Sequence, residues 1–298
     1  MQHRFSHNHR ATAADQANDS STPNATILDR IYDLTVRTNA VATFGCAALA
    51  WYLAQACTGT CNMAALVAYS ILVLQVYSAD RLVQHPEDQQ ASNDANHGQF
   101  LAHHHRWVKA LIPATIVVQI ELCTIAPAAA LALVLGVASA AAYMFRVPII
   151  NCRVKEIPFA KLFYVPIVIT GIACVAMEIM PHSINDVLRM LGIWVLQILN
   201  VNAFDFKDRK SDYHAGIRTF ANTFTPIQVC LGNTVAGIVC ASILLVMGEG
   251  IADYSLAVAL AWMGVASWGA IGPSPGRYLF VVVDGSLALP MFVYLILS

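Results

Sequence analysis

The stretch NAFDFKDRKSDYHAGIRT, residues 202–219, sets Asp205, Asp208 and Asp212 directly after an apolar run long enough to cross a membrane. At about 3.6 residues per turn, positions i, i+3 and i+7 lie near one face of a helix, so the three carboxylates converge. Hard oxygen donors grouped in this way suit a divalent cation, with Mg²⁺ the natural candidate, and suggest metal-bound diphosphate chemistry. Such a reading needs a helix that leaves an apolar layer at Asp205, and the remainder of the chain supplies that setting.

Of the 298 residues, 57% are hydrophobic and only 12% charged, with a mean hydropathy of +0.58. These values lie far from those of a water-soluble domain and predict an all-α polytopic membrane protein. Apolar runs of about 20 residues recur along the chain, the length that crosses a bilayer as helix. Nine spans are expected, near 38–56, 62–84, 107–125, 127–145, 159–180, 186–206, 226–247, 253–271 and 278–297. A tight turn near Pro127 divides the third from the fourth.

A net charge of −1 says little, but the placement of the basic residues says more. With the N-terminus in the cytoplasm, all of the 17 lysines and arginines except Arg189 fall on the inner side. The positive-inside rule therefore favours that orientation, an odd number of spans and an external C-terminus. Residues 1–27 are polar, lack the apolar core of a secretory signal, and are expected to form a disordered cytoplasmic tail. Residues 28–298 then form one transmembrane domain. Integral placement in a bacterial inner membrane is expected, with membrane lipid as surroundings and no nucleic acid as partner.

In this topology the loops at 85–106, 146–158 and 207–225 share the cytoplasmic side. The segment QVYSADRLVQHPED, residues 75–88, puts Asp80 and Arg81 at the inner end of a span and Glu87 and Asp88 just past Pro86. A carboxylate at depth costs roughly 2.5–3.5 kcal/mol on insertion scales, so Asp80 and Asp205 at two inner helix ends are informative as a pair. The loop RVPIINCRVKEIPFAK, residues 146–161, carries Arg146, Arg153, Lys155 and Lys161 against a single acid, Glu156. Such cations suit phosphate oxygens, although basic residues at this position also serve as ordinary topology determinants.

Gln75, Glu121, Asn200, Asn202 and Asp284 either line a cavity or hydrogen-bond between helices. Tyr77, Phe145, Tyr164 and Phe204 are candidate cation stabilisers through their ring faces, with core packing the bland alternative. His97, His103, His104 and His105 read as a solvated tract, because consecutive helical residues point in different directions. His214 lies inside the acidic segment as either a diphosphate ligand or a surface residue. Cys57 and Cys61 form a CxxxC pair beside the first external turn, suited to a disulfide or to free thiols rather than to metal.

The segment DFKDRKSDYHAGIRT resembles the second aspartate-rich motif of the UbiA superfamily of intramembrane prenyltransferases, with Asp205, Asp208 and Asp212 at the motif acids and Gly216 and Thr219 in its trailing pattern. The resemblance extends from about Arg37 to the last span. In the first motif only the central acid is matched, since Val76, Asp80 and Gln84 stand where the family has Asn, Asp and Asp; Glu87 and Asp88 are candidate replacements. RVKEIPFAK is similar to the loop between the family's two halves.

The resemblance implies a nine-helix bundle with a central cavity. It also implies a Mg²⁺-dependent enzyme that ionises a prenyl diphosphate and transfers the prenyl group to a lipophilic or aromatic acceptor. Catalytic and metal-binding roles would fall to Asp80, Asp205, Asp208 and Asp212, with Glu87 and Asp88 assisting at the metal. Diphosphate binding would fall to Arg81, Arg146, Arg153, Lys155, Lys161 and Lys207, with Arg37 a weaker candidate. Tyr77, Asn202, Tyr164 and Phe204 would line the cavity. A terpene cyclase, in which the chain's own double bond captures the cation, is the alternative, and a cation transporter is a third reading from a different class.

Overall fold

The computed structural model describes residues 39–82, 112–271 and 278–298, with no side chain described for Arg81, Leu82 and Phe280. The expected tail at 1–27, Arg37, Glu87, Asp88, His97 and the His103–105 run lie outside the described residues, as does the side chain of Arg81. Among the described residues the fold is all-helical apart from an isolated antiparallel bridge between Val147 and Cys152.

The principal helices are α1 (Ala40–Thr58), α2 (Met63–Leu82), α3 (Ile112–Ile125), α4 (Pro127–Met144), α5 (Ala160–Ala176), α6 (Ile184–His214), α7 (Pro226–Met247), α8 (Ile251–Ala266) and α9 (Leu289–Leu297). Among the described residues six stretches are long and apolar enough to cross a membrane: α1, α2, α4, α6, α7, and α8 with its 3-10 continuation to Ile271. Three expected spans coincide with shorter apolar helices, Ile112–Ile125, Ala160–Ala176 and Val281–Leu297. The chain is thus an integral membrane protein by the length and composition of its helices.

Local sequence explains the breaks. Pro127 lacks an N–H and disfavours helical geometry at Ala126, so α3 stops at Ile125 and α4 begins after a single non-helical residue. The last apolar segment is irregular: a π-helical turn at Leu279–Val283 passes through Asp284 into a 3-10 turn at Gly285–Ala288 before α9.

A small-residue contact sets the approach of α7 to α8. A Cβ at Gly237 would lie 2.5 Å from the Leu260 carbonyl oxygen and 3.3 Å from Gly264 Cα, so α7 and α8 touch backbone to backbone. Small residues permit this approach, which supplies dispersion contact where lipid offers no hydrophobic gain. Thr234 reinforces it by donating from Oγ1 to the Gly264 carbonyl at 3.1 Å.

One rim of the bundle is fastened by buried ions. Arg189 on α6 donates from Nε and Nη2 to the two oxygens of Asp253 on α8, both at 2.9 Å, and from Nη1 to the Ala56 carbonyl at 2.8 Å and to Asp186 at 3.3 Å. Asp253 is 1% exposed. Tyr52 adds a hydrogen bond from its hydroxyl to the Ala252 carbonyl at 2.5 Å. Cys57 and Cys61, at the same rim, are free thiols.

At 31 residues, α6 is about 46 Å long, and the uncharged part between Arg189 and Asp205 spans about 22 Å of it. The acidic stretch therefore occupies helical turns that continue beyond the apolar layer, at the rim opposite Arg189.

Candidate functional site

The acids lie on the final turns of α6, which ends in a left-handed glycine cap. Gly216 has φ 75°, and the Ile217 N–H reaches back to the Asp212 carbonyl at 2.8 Å, satisfying a carbonyl that the helix end would leave open. Thr219 then caps the one-turn helix Phe220–Thr223, exchanging side-chain bonds with Asn222, whose amide also donates to the Ile217 carbonyl at 2.7 Å. Gly216 and Thr219 are accordingly accounted for as turn residues.

The loop from α4 to α5 is folded against this turn. Val147 and Cys152 pair, a 3-10 turn at Val154–Glu156 follows, and Phe159, with φ 62°, donates its N–H to the Arg218 carbonyl at 2.9 Å. The Phe159 ring meets Phe220 edge-on at 5.1 Å. Together these contacts bring Lys161, in the first turn of α5, over the α6 acids.

Lys161 Nζ stands 2.5 Å from Asp205 Oδ1, 3.4 Å from Asp212 Oδ2 and 3.8 Å from Asp208 Oδ2. Asp205 and Asp212 are buried, while Asp208 is half-open to solvent. The three carboxylates expected on one helical face thus do converge in space, around a lysine of the neighbouring helix.

Asp80 lies partly buried at the last turns of α2. Tyr143, on α4, feels the charges of Lys161, Asp80, Asp205 and Asp212, so the acid of the first segment and those of the second share this tyrosine as a neighbour. Lys155 is buried with Nζ 5.6 Å from the centroid of the Tyr143 ring, a cation–π contact, and its charge also reaches Asp212. Tyr164 stacks on Tyr143 at 6.1 Å and 11° and donates its hydroxyl to the Ser139 carbonyl at 2.9 Å, which pins α5 to α4.

Other basic residues divide by environment. Arg153 Nε is paired to Glu156 Oε1 at 2.8 Å, and Glu156 also accepts from the Arg153 backbone N–H, closing the 3-10 turn. Burial alone would raise the Glu156 carboxyl; the backbone and guanidinium donors of Arg153 outweigh it, with help from the charge of Arg146, and hold it below the usual range. Arg146 and Lys207 are exposed, and Lys207 sits 5.9 Å from the Phe204 ring. His214, at the end of α6, is exposed, as is Phe145.

The polar residues within the bundle are engaged between helices. Gln75 donates to Thr115 at 3.0 Å, Asn202 to Asn233 at 2.7 Å, and Asn200 to the Val283 carbonyl at 3.1 Å and to Asp284 at 3.4 Å. Glu121 is exposed rather than turned inward. Tyr77 is a neighbour of both Asp80 and Asp284 by charge. A groove of about 280 Å³ opens between α8 and the last segment, lined by Trp262, Val281, Ser286 and Phe292 among others, and shares no residue with the acids.

Sequence reading overlooked Tyr143 and the Arg189 clasp. A lone arginine at the otherwise charge-poor rim, three residues from Asp186 and followed by Asp253 at the start of another apolar helix, was the signal for the second. Tyr143 carried none, being one aromatic among many.

The oxygen donors of Asp205, Asp208 and Asp212 suit Mg²⁺, and three carboxylates against one ammonium leave formal negative charge for it to balance. Among the described residues no three acids, histidines or cysteines are drawn together as a complete ligand set. No protein-family model matches the chain, and no curated protein matches it by sequence.

Proposed function

We propose that this protein is a Mg²⁺-dependent intramembrane enzyme of the UbiA type, which ionises a prenyl diphosphate and transfers the prenyl group to a lipophilic or aromatic acceptor. The observation that carries the reading is the meeting of Asp205, Asp208 and Asp212 around Lys161 where α6 leaves its apolar part. The resemblance of DFKDRKSDYHAGIRT to the family's second motif supports it. In this reading the bundle has nine spans around a central cavity, with its acidic rim and N-terminus cytoplasmic in a bacterial inner membrane.

Mg²⁺, when bound, supplies positive charge that stabilises the departing diphosphate. Asp205, Asp208, Asp212 and Asp80 would hold the cation, with Glu87 and Asp88 assisting. Lys155, Lys161, Lys207, Arg81, Arg146 and Arg153 bind diphosphate oxygens that the cation leaves exposed, and so favour cleavage of the allylic C–O bond. The bonding pair leaves with the diphosphate, the acceptor carbon bonds to the allylic cation, and the acceptor gives up a proton. Tyr77, Asn202, Tyr164 and Phe204 lie along the route of the apolar chain, whose surroundings exclude water.

Val76 and Gln84, where the family's first motif has Asn and Asp, favour a second reading: cyclisation without an acceptor. Purified protein incubated with prenyl diphosphates of several lengths and Mg²⁺, with and without aromatic acceptors, separates the two. An adduct marks transfer, a hydrocarbon formed without acceptor marks cyclisation, and diphosphate release is lost in Asp205→Ala and Asp208→Ala. Absence of turnover at every chain length, with cation flux in proteoliposomes, would instead support a transporter.

A further inference from the structure

We propose that Lys161 is a built-in counter-cation, which holds Asp205, Asp208 and Asp212 together in the substrate-free protein and yields that place to a divalent ion when a diphosphate arrives. The inference rests on the reading of this site as one for a divalent ion and a diphosphate, and adds an order to their binding.

Three carboxylates on one helical face repel one another, and Asp205, 2% exposed, is too deep for water to offset its charge. The Lys161 ammonium has three donors and faces all three acids, at 2.5, 3.4 and 3.8 Å. It therefore does, within the chain, what a bound cation would do. The cluster is open on one side, where the Asp208 side chain is 40% exposed, against 17% for Lys161 and 3% for Asp205. An incoming ion meets Asp208 first.

The lysine is built to move only at its tip. Its backbone is fixed by the Phe159 N–H on the Arg218 carbonyl and by the Phe159 ring against Phe220, leaving the four-carbon chain as the mobile part. A divalent ion alone has to compete with the ammonium for the same oxygens, because two cations among them repel. A diphosphate changes the balance by giving Lys161 an anion of its own. Lys155, buried beside the Tyr143 ring and within charge range of Asp212, stays as a second cation for those oxygens. Metal and diphosphate therefore bind with positive coupling, and by linkage each strengthens the other equally.

Two measurements test this without turnover. Mn²⁺ retained on ultrafiltration of detergent-purified protein should bind Lys161→Met at least tenfold more tightly than wild type, with Lys161→Arg, which keeps the charge, close to wild type. In wild-type protein, brief acetylation read by peptide mass spectrometry should find Lys161 protected alone, several-fold more reactive at saturating Mn²⁺, and protected again when inorganic pyrophosphate is added. Unchanged Mn²⁺ affinity in a monodisperse Lys161→Met, or Lys161 labelling indifferent to Mn²⁺, overturns the exchange. The labelling experiment decides alone if the methionine variant does not fold. Exchange without turnover of any prenyl diphosphate would leave this inference standing and remove prenyl transfer; turnover without exchange would do the reverse.

Discussion

Arg189 is bound on three sides, by Asp253, Asp186 and the Ala56 carbonyl, in a place that water scarcely reaches. Removing one member of such a group strands the others, so Arg189→Ala should cost about 3–5 kcal/mol, far more than loss of an exposed ion pair. Thermal unfolding in detergent would show it, and an unchanged midpoint would mean that the clasp carries no stability. Asp205, Asp208 and Asp212 were legible as a converging group because helical periodicity alone puts them on one face. Their partner was not, since Lys161 lies 44 positions before Asp205 and nothing in its surroundings distinguishes a phosphate ligand from a counter-ion. The spacing specified a negative site, and tertiary packing decided which cation fills it.

Among the elements, the α4–α5 loop and the α7–α8 contact make separable predictions. Glu156 is held below its ordinary range by Arg153, so its contribution is complete above the unfolded carboxyl value, about pH 4.3, and fades as pH falls through the lower folded value. Glu156→Gln should remove that part of the acid sensitivity, read as the change in unfolding midpoint between pH 3 and 6, roughly the range such carboxyls titrate over. Gly237→Val should force α7 away from the Leu260 carbonyl and destabilise the bundle by about 1–3 kcal/mol or more. Gly171→Val, where no atom lies within 4 Å of the added carbon, is the matched control. Equal midpoints for the two variants would refute the close approach. The apolar runs were readable as helices, yet the irregular passage around Asp284 was not, because its distortion depends on contacts with α1 and α6 rather than on any proline inside it.

For the whole molecule, the distribution of lysine and arginine predicts an acidic rim inside and an Arg189 rim outside. Cys152 and Cys61 lie at these opposite ends, which makes a thiol test direct. In intact cells a membrane-impermeant maleimide should label a variant whose only cysteine is Cys61, and should label one retaining only Cys152 after permeabilisation. The reverse pattern would invert the topology and move the acids to the other compartment. The expected orientation rests on a charge asymmetry counted along the chain, which the labelling pattern tests. Depth is less legible: where a helix leaves the bilayer depends on its neighbours as well as on its own residues.

The ion-locked rim has a mechanical consequence for the whole bundle. Helices α1, α6 and α8 are tied at one rim by the Arg189 guanidinium, while at the far rim α5 is tied to α6 by the Lys161 ammonium beside the Phe159 N–H on the Arg218 carbonyl. The bundle is therefore cross-linked by charge at both ends, and in each case loss of one basic side chain would leave neighbouring carboxylates without their counter-charge.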